Sequence, residues 1–246
     1  MTDKTINTSR RSFVEKTAVA TAGISIMPGV FLHTVAQAKP ADQPVSDKNR
    51  WGLLIDTNKC QDCSVCVDAC NEEHGIKSNG RPATDPQWIR KVKLRDKATG
   101  HTVSLPMLCQ HCEHPPCVDV CPTGASFKRA DGIVLVDRHI CIGCRYCMMA
   151  CPYKARSFVH EDITDQKVNA PRGKGTVESC TLCVVRVDNG KQPACVEACN
   201  AESKNAMIFG DLKDPNSAIS QELKARGATQ IRADLALNTG VRYRGI

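Results

Sequence analysis

The chain is poor in aromatics, which make up 4% of its 246 residues. A large aromatic-rich core is therefore excluded. No G-x-x-x-x-G-K-[ST] or G-x-G-x-x-G loop occurs, so no phosphate cradle can be read, and Gly173-Lys174-Gly175 marks no more than a turn. No Ser-His-Asp arrangement suggests nucleophilic catalysis, and we expect no catalytic residues. Beyond the first forty residues no apolar run approaches a membrane span. The formal charge of +7 would suit nucleic acid, but no basic run is interleaved with aromatics. What the chain does have is sixteen cysteines, with 16 glycines and 13 prolines. Something other than apolar burial must hold such a fold, either disulfides or metal.

The first forty residues read as a targeting segment. Ser9-Arg10-Arg11-Ser12-Phe13-Val14 precedes an apolar stretch of small residues from Thr17 to about Val35, ending in Ala36-Gln37-Ala38. This is a charged region, an apolar region and a small-x-small cleavage site. The paired arginines resemble a twin-arginine export signal over residues 1–38, although Glu15 stands where the pattern usually has lysine. We expect cleavage after Ala38 and a periplasmic location, with an uncleaved anchor as the alternative. The twin-arginine route exports proteins already folded, which suits a cofactor inserted in the reducing cytoplasm. Residues 39–50 are polar and Pro-containing, a flexible linker.

The cysteines fall into four quartets with none left over. Cys60, Cys63, Cys66 and Cys70 are spaced C-x2-C-x2-C-x3-C. Cys109, Cys112, Cys117 and Cys121 follow C-x2-C-x4-C-x3-C, with Pro122 next. Cys141, Cys144, Cys147 and Cys151 repeat the first spacing before Pro152. In the fourth, Cys180, Cys183, Cys195 and Cys199, an eleven-residue insert separates the pairs. Three cysteines on a tight loop can hold three irons of one cubane, while the fourth points away along the following helix. In two-cluster ferredoxins that fourth cysteine ligates the other cluster. A disulfide scaffold predicts an even count but not this repeated close spacing, and the triple C-x2-C-x2-C crowds a tetrahedral zinc ion. The spacing therefore predicts four [4Fe–4S] clusters. Without residues 1–38 the formal charge is about +5, and four sites at about −2 each bring it to about −3, so the basic balance partly offsets the cofactors.

Short β-rich segments precede three quartets, at Trp51–Asp56, Thr102–Leu108 and Ile133–Asp137, and Trp88–Asp96 alternates as a further strand. Short helices carry the fourth cysteines, at Val65–Glu73, Pro116–Val120, Tyr146–Ala150 and Cys195–Ala198. The expected class is α+β, built of duplicated bacterial ferredoxin-like units rich in loops. His111 and His114 read as donors near complete quartets or as surface residues, and His74, His101, His139 and His160 as surface. Met148-Met149 reads as packing around a cluster.

With the quartets placed, residues 51–212 resemble the four-cluster ferredoxin-type subunits of polysulfide, tetrathionate, dimethyl-sulfoxide and nitrite reductases. The resemblance implies that the first quartet pairs with the fourth and the second with the third. One cluster would take Cys60, Cys63, Cys66 and Cys199, and its mate Cys70, Cys180, Cys183 and Cys195. The other unit would hold Cys109, Cys112, Cys117 and Cys151 on one cluster, and Cys121, Cys141, Cys144 and Cys147 on the other. The unit of quartets two and three (109–152) would then be inserted into the unit of quartets one and four (51–108 with 153–210).

The stretches Leu105–Cys117, Cys141–Cys151 and the tail Thr229–Tyr243 narrow the resemblance to the periplasmic iron–sulfur subunits of Dsr membrane complexes. It implies an integral quinone-interacting membrane partner, a multihaem cytochrome c partner, and electron transfer in dissimilatory sulfite reduction or sulfur oxidation. An electron-transfer subunit of a molybdopterin reductase is the nearest alternative, and a secreted disulfide-rich binding protein is one of another class. The tail 211–246 has no cysteine. We expect a short helix near Ser220–Ala225 and otherwise an extended, charged segment that docks a partner.

Overall fold

The computed structural model describes residues 45–246 apart from Gln61 and Ser203, and these belong to one compact unit. The predicted export signal lies outside the described residues. Among them, no helix is long and apolar enough to cross a membrane.

Strand β1 (Trp51–Asp56) is buried along nearly its whole length. An uninterrupted apolar run of this kind needs neighbours on both edges. β8 (Met207–Asp211) supplies one, antiparallel from Trp51↔Asp211 to Ile55↔Met207. β9 (Val241–Arg244) supplies the other, parallel from Leu53↔Val241 to Asp56↔Arg244. Leu53, Leu54 and Ile55 are within 1% of complete burial, each contributing about 1.5–3 kcal/mol.

The remaining strands form two-stranded ribbons. β2 (Ile89–Arg95) and β3 (Thr102–Leu108) pair antiparallel around a turn in which Asp96 accepts from Ala98 N–H and the Thr99 hydroxyl. β4 (Ser126–Lys128) and β5 (Val134–Val136) form the hairpin between the second and third quartets. β6 (Arg156–Phe158) pairs with β7 (Val177–Ser179).

Among the described residues six short α-helices lie between the strands. α1 (Val65–His74) ends at Gly75, whose φ of +63° is the left-handed conformation that stops a helix. α2 (Pro116–Asp119) and α3 (Tyr146–Ala150) follow the second and third quartet loops. α4 (Val184–Asp188) and α5 (Ala194–Ala201) flank the insert of the fourth quartet. α6 (Ala218–Arg226) starts where Ser217 Oγ accepts from Ser220 N–H, and carries Lys224 and Arg226 in its last turn. α1 packs on α5, and α2 on α3. The result is a mixed α+β fold of short elements, with every strand and helix position anticipated around the quartets found within a few residues.

The helix expected near Ser220–Ala225 is present as α6, but the end of the tail is not a free charged segment: β9 completes the main sheet, and Tyr243 is fully buried. The Tyr243 hydroxyl donates to the Pro106 carbonyl and accepts from Gln110 Nε2, both at 3.1 Å. Gly240 N–H donates to the carbonyls of Gln110 and His111, and Glu113 N–H to those of Leu237 and Asn238. The tail thus clasps the loop of the second quartet. Its alternation of buried Val241 and Tyr243 with Arg242 and Arg244 is the local reason.

Candidate cluster-binding site

Each quartet opens on a C-x2-C loop, and all four loops share one backbone feature. The residue before the second cysteine is left-handed in every case: Asp62 (φ +58°), His111 (+43°), Gly143 (+70°) and Leu182 (+53°). Such a reversal turns backbone N–H groups towards a common point, the nest geometry that suits anions and iron–sulfur cores. Only one of the four is glycine, so the others need side-chain support. The Asp62 carboxylate is held by Lys91 at 2.7 Å, Lys93 at 2.5 Å and the Ser104 hydroxyl at 2.8 Å. The lysine hydrogen bonds keep that carboxyl well below its ordinary range. His111 is buried, and its Nδ1 accepts from Val134 N–H at 3.1 Å. At Gly143 a Cβ would stand 2.2 Å from the Gly175 carbonyl oxygen.

The later cysteines ride on helices. Cys66 and Cys70 are four apart on α1, Cys195 and Cys199 four apart on α5, so each pair shares a helix face. Because α1 packs on α5, thiols of the first and fourth quartets interleave. The thiols acting on Cys66 are Cys60, Cys63 and Cys199. Those acting on Cys70 are chiefly Cys195 and Cys183, and Cys180 faces Cys70, Cys195 and Cys183. The same holds where α2 meets α3. Cys109, Cys112, Cys117 and Cys151 line one cavity, with Pro116 and Val134. Cys147 faces Cys141 and Cys121. Electrostatic influence also runs from group to group: Cys66 acts on Cys70, Cys109 on Cys180, and Cys147 on Cys117.

Burial, in most cases with repulsion from other thiols, raises Cys66, Cys70, Cys109, Cys112, Cys117, Cys147, Cys180, Cys183 and Cys195. Cys66 and Cys112 are pushed up to about 12, Cys70 and Cys180 well above their ordinary value. Thiolates packed this way are stable only around a compensating cation. At Cys121 burial also pushes upwards, but hydrogen bonds from Ser126 N–H and Thr123 outweigh it and lower the thiol. Further donors to sulfur are Leu182 N–H on Cys180 (3.4 Å), Ala194 N–H on Cys183 (3.5 Å) and Arg156 Nη2 on Cys117 (3.1 Å). All sixteen cysteines are free, with no disulfide. Spread thiol groups with sulfur-directed N–H donors suit an iron–sulfur core.

Two residues next to the thiols were misread or missed in the sequence. His74 is not at the surface: it is 4% exposed, its Nε2 lies 3.3 Å from Cys183 Sγ, and its ring packs tilted by 36° against Trp88 with centroids 4.4 Å apart. Burial, then Arg138, Arg172 and Arg186, lower its pKa to about 4. Nothing in the sequence around Arg156 marks it, yet it is buried against Cys117. His101, His114, His139 and His160 are exposed, and the turn at Gly173–Gly175 is present. Met148 packs against the core, but Met149 is 64% exposed and does not.

Two 4Fe-4S dicluster domains match this chain, over residues 54–125 and 101–212. The chain belongs to the family of 4Fe-4S iron–sulfur electron-transfer subunits, and it holds four [4Fe–4S] clusters. Over 263 aligned positions it is 41% identical to the Hdr-like menaquinol oxidoreductase iron-sulfur subunit 1 of Archaeoglobus fulgidus, covering 96% of this chain and 97% of that one. It is 39% identical to a tetrathionate reductase subunit of Salmonella typhimurium, over 89% and 80% of the two chains. It is 41% identical to a sulfite dehydrogenase subunit of Allochromatium vinosum, over 73% and 76%.

Proposed function

We propose that this chain is the conductive subunit of a membrane-associated redox complex of sulfur metabolism, exported to the periplasm by its twin-arginine segment and without a substrate site of its own. The single observation that carries this reading is the interleaving of the quartets. In it, Cys60, Cys63, Cys66 and Cys199 hold one cluster, and Cys70, Cys180, Cys183 and Cys195 the next. Cys109, Cys112, Cys117 and Cys151 hold a third, and Cys121, Cys141, Cys144 and Cys147 the fourth. The interacting pairs Cys66 with Cys70, Cys180 with Cys109 and Cys117 with Cys147 support a row in that order, built as two ferredoxin-like units. Each bound cluster supplies one-electron exchange. The chain's own part is to fix the thiols, exclude water, and set potentials through the N–H donors at Cys180, Cys183 and Cys121.

The relatives name the setting: one is a subunit of a menaquinol oxidoreductase, others of tetrathionate reductase and sulfite dehydrogenase. The partners of this chain are accordingly an integral quinone-interacting subunit and a further redox subunit, a multihaem cytochrome c in the Dsr-type arrangement. Purification of the tagged chain from solubilised membranes tests this. The expected co-purifying chains are a multi-spanning membrane protein and a haem-staining cytochrome. A large molybdenum-containing subunit in their place would instead assign the chain to a molybdopterin reductase.

A further inference from the structure

Two arginines are buried outright among the described residues, and only one of them has a carboxylate partner. Arg172 is 5% exposed and bidentate on Glu178, with Nε to Oε2 at 3.0 Å and Nη2 to Oε1 at 2.8 Å. The partly buried Arg129 is likewise shared between Asp131 and Asp188. Arg156, 6% exposed, makes no ion pair with a carboxylate among the described residues. A buried guanidinium without a counter-charge is strongly destabilising. Something in the folded holoprotein must offset it.

The groups around Arg156 show what does. Its Nη2 donates to Cys117 Sγ at 3.1 Å and to Ser126 Oγ at 2.7 Å. The same guanidinium reaches Cys147, and Cys109 also acts on it. Ser126 in turn donates its N–H to Cys121 Sγ at 3.3 Å. Cys109 and Cys117 belong to one proposed cluster, Cys121 and Cys147 to its mate. Nη1 is buried with no nitrogen or oxygen partner among the described residues. The anionic chemistry that these residues bring to the cation is sulfur, and it comes from both sides.

We propose that Arg156 is the shared counter-ion of the two clusters held by the second and third quartets, wedged between them and setting both of their potentials. The proposal rests on the cross-quartet ligand sets above. A fixed cation favours the reduced, more negative state of any cluster close to it, so one guanidinium in contact with both sets raises both potentials. Arg156 is a positioning and tuning residue, since it touches ligand sulfurs rather than any substrate. Ser126 extends its reach by joining the guanidinium to the hydrogen-bond donor of Cys121.

The test is an EPR-monitored redox titration of the full-length holoprotein, with iron counted on each sample. In Arg156→Gln, two of the four clusters are expected to become harder to reduce by about tenfold or more in equilibrium constant. That is about 59 mV more negative for a one-electron step. The other two should hold their wild-type potentials. Arg156→Lys keeps the cation and should recover at least half of the shift. This variant decides the matter if Arg156→Gln fails to retain its iron. Unmoved potentials, a shift in one cluster alone, a uniform shift of all four, or a lysine variant as displaced as the glutamine variant would each overturn the proposal. A wild-type protein with about eight irons would overturn the four-cluster reading instead, a failure visible in the iron count before any potential is compared.

Discussion

Gly143 offers the sharpest mutational test of how the cluster loops are built. It sits between Cys141 and Cys144 with φ of +70°, a conformation that costs an alanine about 1–2 kcal/mol. The second cost is steric. An alanine Cβ would stand 2.2 Å from the carbonyl oxygen of Gly175 and 3.2 Å from the Phe158 ring. The oxygen cannot simply swing away, because the Thr176 N–H of the same peptide plane is tied to the Gly173 carbonyl at 3.3 Å. Relieving such an overlap by backbone movement typically costs about 1–3 kcal/mol. Gly143→Ala should therefore lose about 2–5 kcal/mol in all, concentrated in the loop that presents Cys141 and Cys144. Gly124→Ala is the matched control: its φ is +69°, but nothing lies within 4 Å of the added carbon. It should lose only the conformational cost of about 1–2 kcal/mol. Because metal-holding proteins seldom unfold reversibly, the readout is the rate of visible bleaching in denaturant, with iron counted beforehand. Gly143→Ala should bleach much faster than Gly124→Ala and begin with less iron. Equal rates and full iron in both variants would refute the steric argument.

Other perturbations probe the ligation, the buried ion pair and the tail. Cys121→Ser should damage the cluster served by Cys141, Cys144 and Cys147; EPR spectra showing that cluster intact and the second quartet's cluster lost would reject the crossed ligation. Glu178→Gln leaves Arg172 buried beside a neutral amide, an expected cost of about 3–5 kcal/mol, measured as the denaturant concentration at half-loss of colour. Tyr243→Phe removes the bridge between Pro106 and Gln110, for about 1–2 kcal/mol by the same measure. Deleting residues 241–246 should abolish cluster retention altogether, whereas a tail used only for docking would leave iron content unchanged.

Much of the fold was legible because it is local. The strands at Trp51–Asp56 and Thr102–Leu108 and the helix at Tyr146–Ala150 coincide with their sequence patterns. The cysteine spacing carries its own chemistry. The residues that escaped notice depend on distant partners. Arg156 follows Lys154 and Ala155 with nothing local to mark it, and only Cys117, 39 positions away, reveals why it is buried. His74 closes a run of charged and amide side chains on α1, yet meets Cys183 from 109 positions away. The tail was read as charged because Arg242 and Arg244 mask the alternation of Val241 and Tyr243, and its partner strand begins almost two hundred residues earlier.

The left-handed residue before the second cysteine of each C-x2-C loop was beyond sequence reading for another reason. Only Gly143 advertises it; Asp62, His111 and Leu182 adopt it because the surrounding fold holds them there. For Asp62 that support is the pair of lysines on β2, and for His111 the N–H of Val134 on β5. The loops and the ribbons beneath them are thus one construction.

The most direct measurement is the count of iron and acid-labile sulfide per chain in anaerobically purified full-length protein. Four [4Fe–4S] clusters on sixteen cysteines predict about sixteen of each. Eight or fewer irons per chain, in protein that has kept its colour, would contradict the account.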